Sequence, residues 1–477
     1  MNTIKHLAFL IIMLVGFTAF SQTSVSALFS DNMVLQRNTD VKIWGSEDSK
    51  SVSITTSWND EPVKVKVTDG KWSTSIKTPD AGGPYELTIR GKETRTIKNI
   101  MIGDVWLCTG QSNMEMPMKG FMGQPITNSN EQIIKSRNPN IRHIEIPRKS
   151  TTLPQSEFEG EWKEASISTT GEFSATAYYF AKLVNEITAI PIGLINVTYG
   201  GSNVEAWMNE ETLSNYPEVE FPENDEAIGD KNRTPTVLFN GMLNPVIGYT
   251  IKGAIWYQGE SNAERPIAYE TLFPEMVKLW RAKWNQGDFP FYYTQIAPFD
   301  YDVFYTEPKP WFANSAYLRD AQRKSQYIIP NSGMTTLLDA GDMLNIHPMD
   351  KQTPGERLAW LALAKTYGYE GFGYATPDYD ELNIEDSLVT VTFKNLPNGI
   401  TSYGKEVTAF EIAGEDKVFY PAQCKVRRKS VQVWSDQVEK PVAIRYAFTN
   451  EGPAQLFSNE GIPVSTFRTD NWNPSNQ

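Results

Sequence analysis

The sequence predicts an α/β protein whose doubly wound parallel sheet is flanked by N-terminal and C-terminal all-β domains. Three observations along the 477 residues lead to this class. Apolar and polar residues alternate with period two near both ends of the chain, which is typical of antiparallel strands. Between the ends, buried strand patterns alternate with helical patterns. This alternation indicates parallel strands in a sheet that helices cover on both faces.

The same patterns divide the chain into segments. We predict a signal peptide at 1–21, a β-sandwich at 22–99, a central α/β domain at 100–370 with an insertion near 208–235, and a C-terminal β domain at 371–477. The insertion is expected because that stretch is rich in Glu, Asn and Pro and shows little periodicity, as surface loops do.

The first segment has the pattern of a secretory signal. Lys5 and His6 precede an apolar run at 7–20, and small residues end that run close to Ser21. We expect cleavage near the Ser21–Gln22 bond, because the run is too short to span a bilayer comfortably. The mature protein is therefore expected in the periplasm or outside the cell, without a membrane anchor.

Each later segment carries the signals of its elements. In the N-terminal domain, residues 63–67 alternate and an Asp-Gly turn follows them. In the central domain, helical spacing marks residues 177–187, 269–280 and 354–367, and buried strands are expected at 192–197, 253–257, 291–296 and 334–338. In the C-terminal domain, strands are expected at 389–393, 431–434 and 442–448.

Composition excludes several classes of function. The net charge of −13 becomes −14 once Lys5 leaves with the signal, so nucleic acid and anionic lipid are poor partners. Two cysteines, Cys108 and Cys424, do not make a disulfide scaffold, and Cys108 is expected to fill a buried strand. With two histidines in the mature chain and no zinc-like spacing, no metal or other cofactor is predicted. The sequence gives no indication of the oligomeric state.

Four polar, glycine-bearing segments follow predicted strands of the central domain. Ligands bind at this carboxyl edge in doubly wound sheets, so we expect the segments to form one site. They are Gly110-Gln111-Ser112-Asn113, Gly200-Gly201-Ser202, Gln258-Gly259-Glu260-Ser261-Asn262 and the run from Asp339 to Lys351.

Ser112 is the candidate nucleophile, because a serine at a tight turn after a strand can attack once a base reaches it. The alternative is that Ser112 only caps a helix. Gly200 and Gly201 favour the catalytic interpretation, since backbone N–H groups without a neighbouring Cβ can face an oxyanion. Gln258 could add a side-chain donor. The polar neighbours expected to support the site or contact substrate are Gln111, Asn113, Glu260 and Asn262.

His347 is the candidate base, because Pro348 stiffens its presentation just before a helix. The rival, His143, lies in an Arg/Lys-rich segment without glycine turns. A triad also needs an acid behind the imidazole. Asp342 and Asp339 are the candidates, and Asn345 could orient the ring without stabilising its charge.

A competing chemistry needs no histidine. Glu260, Asp339 and Asp342 could supply the carboxylate pair of a glycosidase, which would make the central domain a sugar-cleaving enzyme.

Motifs in this order resemble the sialate O-acetylesterase family of SGNH-type hydrolases. The quoted runs are Gly110-Gln111-Ser112-Asn113-Met114-Glu115-Met116, Tyr199-Gly200-Gly201-Ser202 with Glu205-Ala206-Trp207, Trp256-Tyr257-Gln258-Gly259-Glu260-Ser261-Asn262, Ile346-His347-Pro348-Met349-Asp350-Lys351 and Phe467-Arg468-Thr469-Asp470. The resemblance spans essentially the whole mature chain.

The resemblance implies a flavodoxin-like SGNH hydrolase domain at 100–370 that removes O-acetyl groups from sugars. It implies Ser112 as nucleophile and His347 as base, with the N–H groups of Ser112 and Gly201 and the side chain of Gln258 as oxyanion donors. Members often carry Asp at the position of Asn345. Either Asp342 substitutes for that acid, or a Ser–His dyad operates with Asn345 or backbone holding the ring.

Two other functions remain open at this point. The same motifs would serve an acetylesterase of xylan-type hemicellulose, which only the shape of the groove would separate from a sialate enzyme. A non-catalytic glycan-binding protein on a degenerate hydrolase fold would explain Asn345 and the aromatic content of 12%.

Overall fold

A computed structural model describes residues 23–305 and 313–472, apart from the side chain of Asp60. The predicted signal peptide at 1–21 lies outside the described residues. No helix within the described ranges combines the length and the apolar character needed to cross a bilayer.

Most N-terminal strands form antiparallel ladders, as their alternation predicts. In one of them, Val41 and Ile43 are buried while Asp40 and Lys42 are exposed. The strands are β1 (Ser24–Val25), β2 (Val34–Gln36), β3 (Asp40–Ser46), β4 (Ser51–Thr56), β5 (Asn59–Lys66), β6 (Lys71–Lys77), β7 (Gly82–Arg90) and β8 (Thr94–Gly110). In contrast to the others, β2 pairs with β8 in parallel. Strand β8 pairs with β7 at its start and then continues into the central sheet. The boundary predicted between residues 99 and 100 therefore falls inside one continuous strand.

The central sheet is parallel in the order β9-β11-β8-β12-β13-β14, and β10 adds an antiparallel edge. The new strands are β9 (Asn138–Glu145), β10 (Lys163–Ala165), β11 (Ile192–Thr198), β12 (Gly253–Tyr257), β13 (Phe291–Thr294) and β14 (Ser332–Thr335). The α-helices are α1 (Ser112–Glu115), α2 (Ser129–Ile134), α3 (Ala175–Thr188), α4 (Glu210–Leu213), α5 (Pro266–Trp284), α6 (Ala316–Ile328) and α7 (Gln352–Lys365).

Helices cover both faces of this sheet, and β8 shows the two cores directly. Val105 and Leu107 point into one core with α5, whereas Trp106 and Cys108 point into the other core with α3 and α7. Cys108 is fully buried, as expected of a small apolar filler. A sheet covered on both faces is thus confirmed, and its carboxyl edge is the surface left for a site.

The C-terminal strands form separate antiparallel sheets with their own core. They are β15 (Asp378–Glu385), β16 (Leu388–Lys394), β17 (Ile400–Thr401), β18 (Phe410–Ala413), β19 (Phe419–Pro421), β20 (Gln423–Val426), β21 (Ser430–Trp434), β22 (Ala443–Tyr446), β23 (Phe457–Ser458) and β24 (Phe467–Arg468). A buried ion network attaches them to α6. In it Arg323 contacts Asp320 and Asp378, and Arg468 contacts Asp320. The mixed α/β class with additional all-β sheets agrees with the sequence prediction.

Candidate active site

The first three polar segments meet at one edge because their strands are neighbours in register. Gly110 at the end of β8 pairs with Thr198 of β11 on one side and with Tyr257 of β12 on the other. The loops that leave these strands therefore start side by side. The fourth segment follows β14 and returns to the same edge, where His347 reaches Ser112.

The nucleophile turn depends on Gly110, whose φ is +136°. A Cβ at this position would lie 2.2 Å from the carbonyl oxygen of Tyr257, so a larger residue would separate β8 from β12. Ser112 is the first residue of α1 and its side chain is half-buried. The turn thus presents the hydroxyl at the sheet edge, as the sequence pattern predicts.

Ser112 and His347 are in hydrogen-bond contact. Ser112 Oγ lies 2.7 Å from His347 Nε2, and His347 Nδ1 lies 2.7 Å from Gln124 Oε1. An amide oxygen can only accept, so the proton of the neutral ring sits on Nδ1. Nε2 is then the acceptor for the Ser112 hydroxyl. This is the tautomer that a general base needs.

Gln124, not an acid, holds the imidazole. Asp342 Oδ1 accepts from the N–H of Leu344, and Asn345 Oδ1 accepts from the N–H of His347 itself. Short polar side chains often accept hydrogen bonds from the backbone of their own turn. Asp342 and Asn345 both do so here, and neither contacts the imidazole through a hydrogen bond of its side chain to a ring nitrogen. Asp339 forms a bidentate ion pair with Arg357, so its carboxylate also has another partner than His347.

Sequence reasoning missed Gln124 because its loop follows no predicted strand. The available signal was the pair of glycines around the turn at 120–124, both with positive φ. The N–H of Gln124 donates to the carbonyl of Phe121 in that turn. The ring of Phe121 also packs edge-on against His347, with centroids 5.5 Å apart. The loop therefore orients the imidazole from two directions.

Substitutions of Gln124 should distinguish two effects on His347, namely the orientation of the ring and the stabilisation of its positive charge. We expect Gln124→Ala to lower kcat about tenfold, because the ring loses the partner that fixes its tautomer. We expect Gln124→Glu to shift the acid limb of kcat/KM upward by about one pH unit, because a carboxylate stabilises the imidazolium. Rates of acetyl ester hydrolysis across pH provide the measurement. Gln352→Ala, at an exposed position on α7, is the control. Identical pH profiles for all variants would contradict the assigned contact.

A buried polar network joins three of the loops beneath Ser112. Asn113 Nδ2 donates to Glu260 Oε1 (2.6 Å) and to the carbonyl of Ile346 (3.0 Å). Lys351 Nζ donates to Asn113 Oδ1 and to the carbonyl of Pro348, both at 2.7 Å. Burial lowers the pKa of Lys351 to about 7 and raises that of Glu260. The residues beside Ser112 and His347 are thereby held together.

The other predicted supporting residues are structural in the same sense. Gln111 Oε1 accepts from the N–H groups of Gly259 and Ser261, each at 3.4 Å. Asn262 Oδ1 accepts from the N–H of Val204, and its amide donates to Glu205. Asn262 is fully buried and lies outside the cavity that contains Ser112.

Gln258 differs from its predicted role as an oxyanion donor. Its Nε2 donates to the carbonyl of Ser202 (3.0 Å) and to Asn262 Oδ1 (2.7 Å), and the side chain is fully buried. The buried carbonyl of Ser202 needs a donor, and Gln258 supplies it. The amide is therefore directed beneath the loop at 200–202 and away from Ser112.

Gly200 and Gly201 also differ from each other. The N–H of Gly200 donates to Glu115 Oε2 (2.8 Å), and a Cβ at Gly200 would lie 3.4 Å from Ser112 Cβ. Within residues 23–305 and 313–472, the N–H groups of Gly201 and Ser112 have no hydrogen-bond acceptor. Gly201 lines the same cavity as Ser112. These two N–H groups are thus free backbone donors close to the Ser112 hydroxyl.

A cavity of about 550 Å³ opens over Ser112 and His347, here called the catalytic cavity. Aromatic side chains at 121, 301 and 304 form part of its wall, and Glu115, Arg148 and Arg233 supply charged groups. Its size suits a small ligand with an apolar part. Among the described residues, no group of three or more His, Cys, Asp or Glu side chains is placed to hold a metal ion.

His143 lies elsewhere. It is on β9, separated from β8 by β11, and its ring stacks on Phe173 with centroids 4.6 Å apart. Burial lowers its pKa to about 3. Of the two histidines considered for the base, the structure thus brings only His347 to Ser112.

The pKa of His347 predicts the acid limit of activity. Burial, assisted by the positive charge of Lys351, lowers that pKa from 6.5 to about 4. The base acts when neutral, so kcat/KM should stay high as pH falls through 6.5 and should halve only near pH 4. Initial rates measured from pH 3 to 8, with activity recovered at neutral pH to exclude unfolding, test this. A half-point near pH 6.5 would contradict it.

Similarity to known proteins identifies the family of the chain. The sequence profile of a family described as "Carbohydrate esterase, sialic acid-specific acetylesterase" matches residues 102–342. The chain belongs to this family. The family match confirms the predicted resemblance and the enzyme class, a carboxylic ester hydrolase.

Relatives of this carbohydrate esterase align over most of its length. It is 26% identical to mouse sialate O-acetylesterase, covering 77% of this chain and 78% of that one. It is 27% identical to the human sialate O-acetylesterase, with 77% and 76% covered. The crystal structure of a novel carbohydrate acetylesterase from Xanthomonas citri superposes with a TM-score of 0.86 at 32% identity, covering 94% of this chain and 100% of that one.

Proposed function

We propose that this esterase removes O-acetyl groups from sugars, with Ser112 as nucleophile and His347 as general base. The observation that carries the proposal is the 2.7 Å contact between Ser112 Oγ and His347 Nε2 at the floor of the catalytic cavity. Family membership supplies the acetylated carbohydrate as the class of substrate. No cofactor is required for acyl transfer of this kind.

Acyl transfer would proceed in two halves. Ser112 Oγ attacks the acetyl carbonyl while His347 Nε2 takes its proton, and the imidazolium then protonates the departing sugar oxygen. A water molecule, deprotonated by the same ring, attacks the acetyl-serine. Acetate is released as Ser112 Oγ takes the proton back from the imidazolium. Gln124 keeps the ring in position throughout, but as a neutral amide it does not offset the imidazolium charge. The arrangement is therefore a Ser–His dyad with a neutral orienting residue.

The oxyanion is proposed to bind the N–H groups of Ser112 and Gly201. Both lack another acceptor among the described residues, and both belong to loops that line the catalytic cavity. Glu115 supports this arrangement because it accepts from the N–H of Gly200 and is itself held by Arg148 at 2.6 Å. Gln258 is not proposed as a third oxyanion donor, because its Nε2 already donates to Ser202 and Asn262.

We infer that the central domain is a flavodoxin-like SGNH hydrolase. Across the sheet the strands stand in the order β11-β8-β12-β13-β14. If these five strands are numbered 1 to 5 along the chain, this order is 2-1-3-4-5, which is the flavodoxin-like order. Strand β9 adds one parallel strand beyond β11. The division into domains at 22–99, 100–370 and 371–477 stays a proposal. The separate core of the C-terminal sheets supports the boundary after residue 370, whereas the first two segments share one core and strand β8.

Export through the segment at 1–21 is likewise proposed. The charged start and short apolar run favour a cleaved signal over an anchor. We expect protein recovered from the periplasm or the medium to begin at or near Gln22 on N-terminal sequencing. Full-length protein confined to the cytoplasm would contradict export.

The sugar itself is tested by direct assay. Curated relatives are named sialate O-acetylesterases, so acetylated sialic acid is the first substrate to test. Acetate release from acetylated sialic acid and from acetylated xylan should be measured in parallel. A wide preference for xylan would overturn the sialate proposal while leaving the esterase intact. Labelling by a fluorophosphonate probe separates both from a non-catalytic glycan-binding protein, which would not react.

A further inference from the structure

A second cavity, of about 770 Å³, lies directly beside the catalytic cavity. We call it the flanking cleft. Three side chains, Glu115, Phe121 and Arg148, line both spaces and form the wall between them. A ligand that enters the catalytic cavity and is longer than one sugar unit would extend past this wall. None of the chemistry at Ser112 uses the remaining residues of the cleft.

The floor of the cleft holds a buried polar group without a partner. His143 is 3% exposed, and its Nε2 has no hydrogen bond within the described part of the chain. That nitrogen lies 3.8 Å from Glu145 Oε2, and both residues line the cleft. A buried polar atom left unsatisfied is costly, so its retention points to a ligand that supplies the partner. Phe173 stacks on this ring and is itself buried, so it fixes the orientation of His143.

The charges of the cleft select against anionic ligands. Five glutamates line it against two cations, Arg148 and Lys163. Arg148 is committed to Glu115 at 2.6 Å, and Lys163 lies 3.4 Å from Glu161. A carboxylate, sulfate or phosphate on the ligand would thus meet net negative charge without a free cation. Uncharged hydroxyl groups would instead find many acceptors.

Glu145 suits the same kind of ligand. Its side chain is about half exposed at the cleft, and partial desolvation of the carboxyl group raises its pKa. The carboxyl group can accept hydrogen bonds from the hydroxyl groups of a sugar. Asn196 Nδ2 donates to Glu145 Oε2 and fixes the orientation of the group.

We propose that the flanking cleft is a subsite for an uncharged sugar unit attached to the acetylated sugar. This inference rests on the proposed sugar deacetylation, since it assumes an acetylated unit at Ser112. The substrate would then be an oligosaccharide or polysaccharide whose unit next to the acetylated one is neutral. The acetylated unit itself is not restricted by the charges of the cleft.

Three substrates of increasing length test the subsite, namely para-nitrophenyl acetate, acetylated xylose and acetylated xylotetraose. We expect kcat/KM for the tetraose to exceed that for the single sugar by about tenfold, the worth of one or two good hydrogen bonds. In Glu159→Ala/Glu161→Ala this advantage should disappear, while the two small substrates keep their rates within about twofold. Glu415→Ala/Glu439→Ala removes the same charge from exposed positions outside the cleft and is the control.

A charge-reversing variant supplies the second arm. Glu159→Lys/Glu161→Lys should raise the relative rate on a glucuronic-acid-bearing acetylated xylo-oligosaccharide. Equal rates for both neutral sugars in the wild type, or equal losses on all three substrates in the alanine variant, would overturn the subsite. Failure of the proposed function would look different, because Ser112→Ala would then retain hydrolysis of para-nitrophenyl acetate.

Discussion

Ser112→Ala is expected to lower kcat for hydrolysis of an acetylated sugar by about 10³-fold or more. The hydroxyl 2.7 Å from His347 Nε2 is the attacking group in the proposed reaction, and alanine leaves no atom that can form the acetyl-enzyme. The remaining rate would come from the oxyanion donors and from binding alone. Acetate release under single-turnover and steady-state conditions measures the loss.

A matched control stands in the same cavity. Ser261 also lines the catalytic cavity, but among the described residues its hydroxyl forms no hydrogen bond with His347. Ser261→Ala should keep kcat within about twofold of the wild type. Unfolding midpoints of both variants show whether the fold is intact. Near-normal acetate release by Ser112→Ala would remove Ser112 from the mechanism, whatever the effect of the control.

His347→Ala is expected to cost a similar factor, about 10³-fold, because the serine loses the group that takes its proton. The double variant with Ser112→Ala should be scarcely worse than either single variant, since residues that act as a unit give non-additive losses. Initial rates on para-nitrophenyl acetate provide the comparison.

Added imidazole supplies the control for His347→Ala. The substitution opens space between Ser112 and Gln124, the two groups that the ring contacts in the native site. Free imidazole in that space should restore part of the rate in this variant and none in Ser112→Ala. Rates that stay above a tenth of the wild-type value without imidazole would argue against His347 as the base.

Elements with strong local patterns were predictable. Strand β12 occupies Gly253–Tyr257, as predicted, and β11 extends one residue beyond the predicted 192–197. Their continuous apolar runs have one stable solution, burial on both faces. By contrast β9, between β10 and β11, mixes charged and apolar residues, and α6 buries arginine, aspartate and glutamine side chains. Charged and polar residues interrupt the apolar positions of both elements, so the burial of these residues depends on their tertiary partners.

The residues of the candidate site show the same difference between local and tertiary signals. Ser112, Gly201 and His347 carry signals in the sequence, because a glycine-bearing turn after a strand is a local feature. The roles of Gln124 and Gln258 leave no such signal in the sequence, because a glutamine can donate or accept hydrogen bonds in many settings. Gln124 reaches the imidazole from 223 positions away, and Gln258 is taken by a carbonyl that folding buries.

What the sequence by itself determined is therefore the class of fold and the family, and it singled out the two side chains that are proposed to react. What only the tertiary structure decided is which neutral group orients the base, which N–H groups stay free, and which cleft adjoins the nucleophile. Periodicity and turn residues report on interactions along a few neighbouring positions. The partners of a buried polar atom depend on how distant loops pack, and that packing is settled by the whole chain.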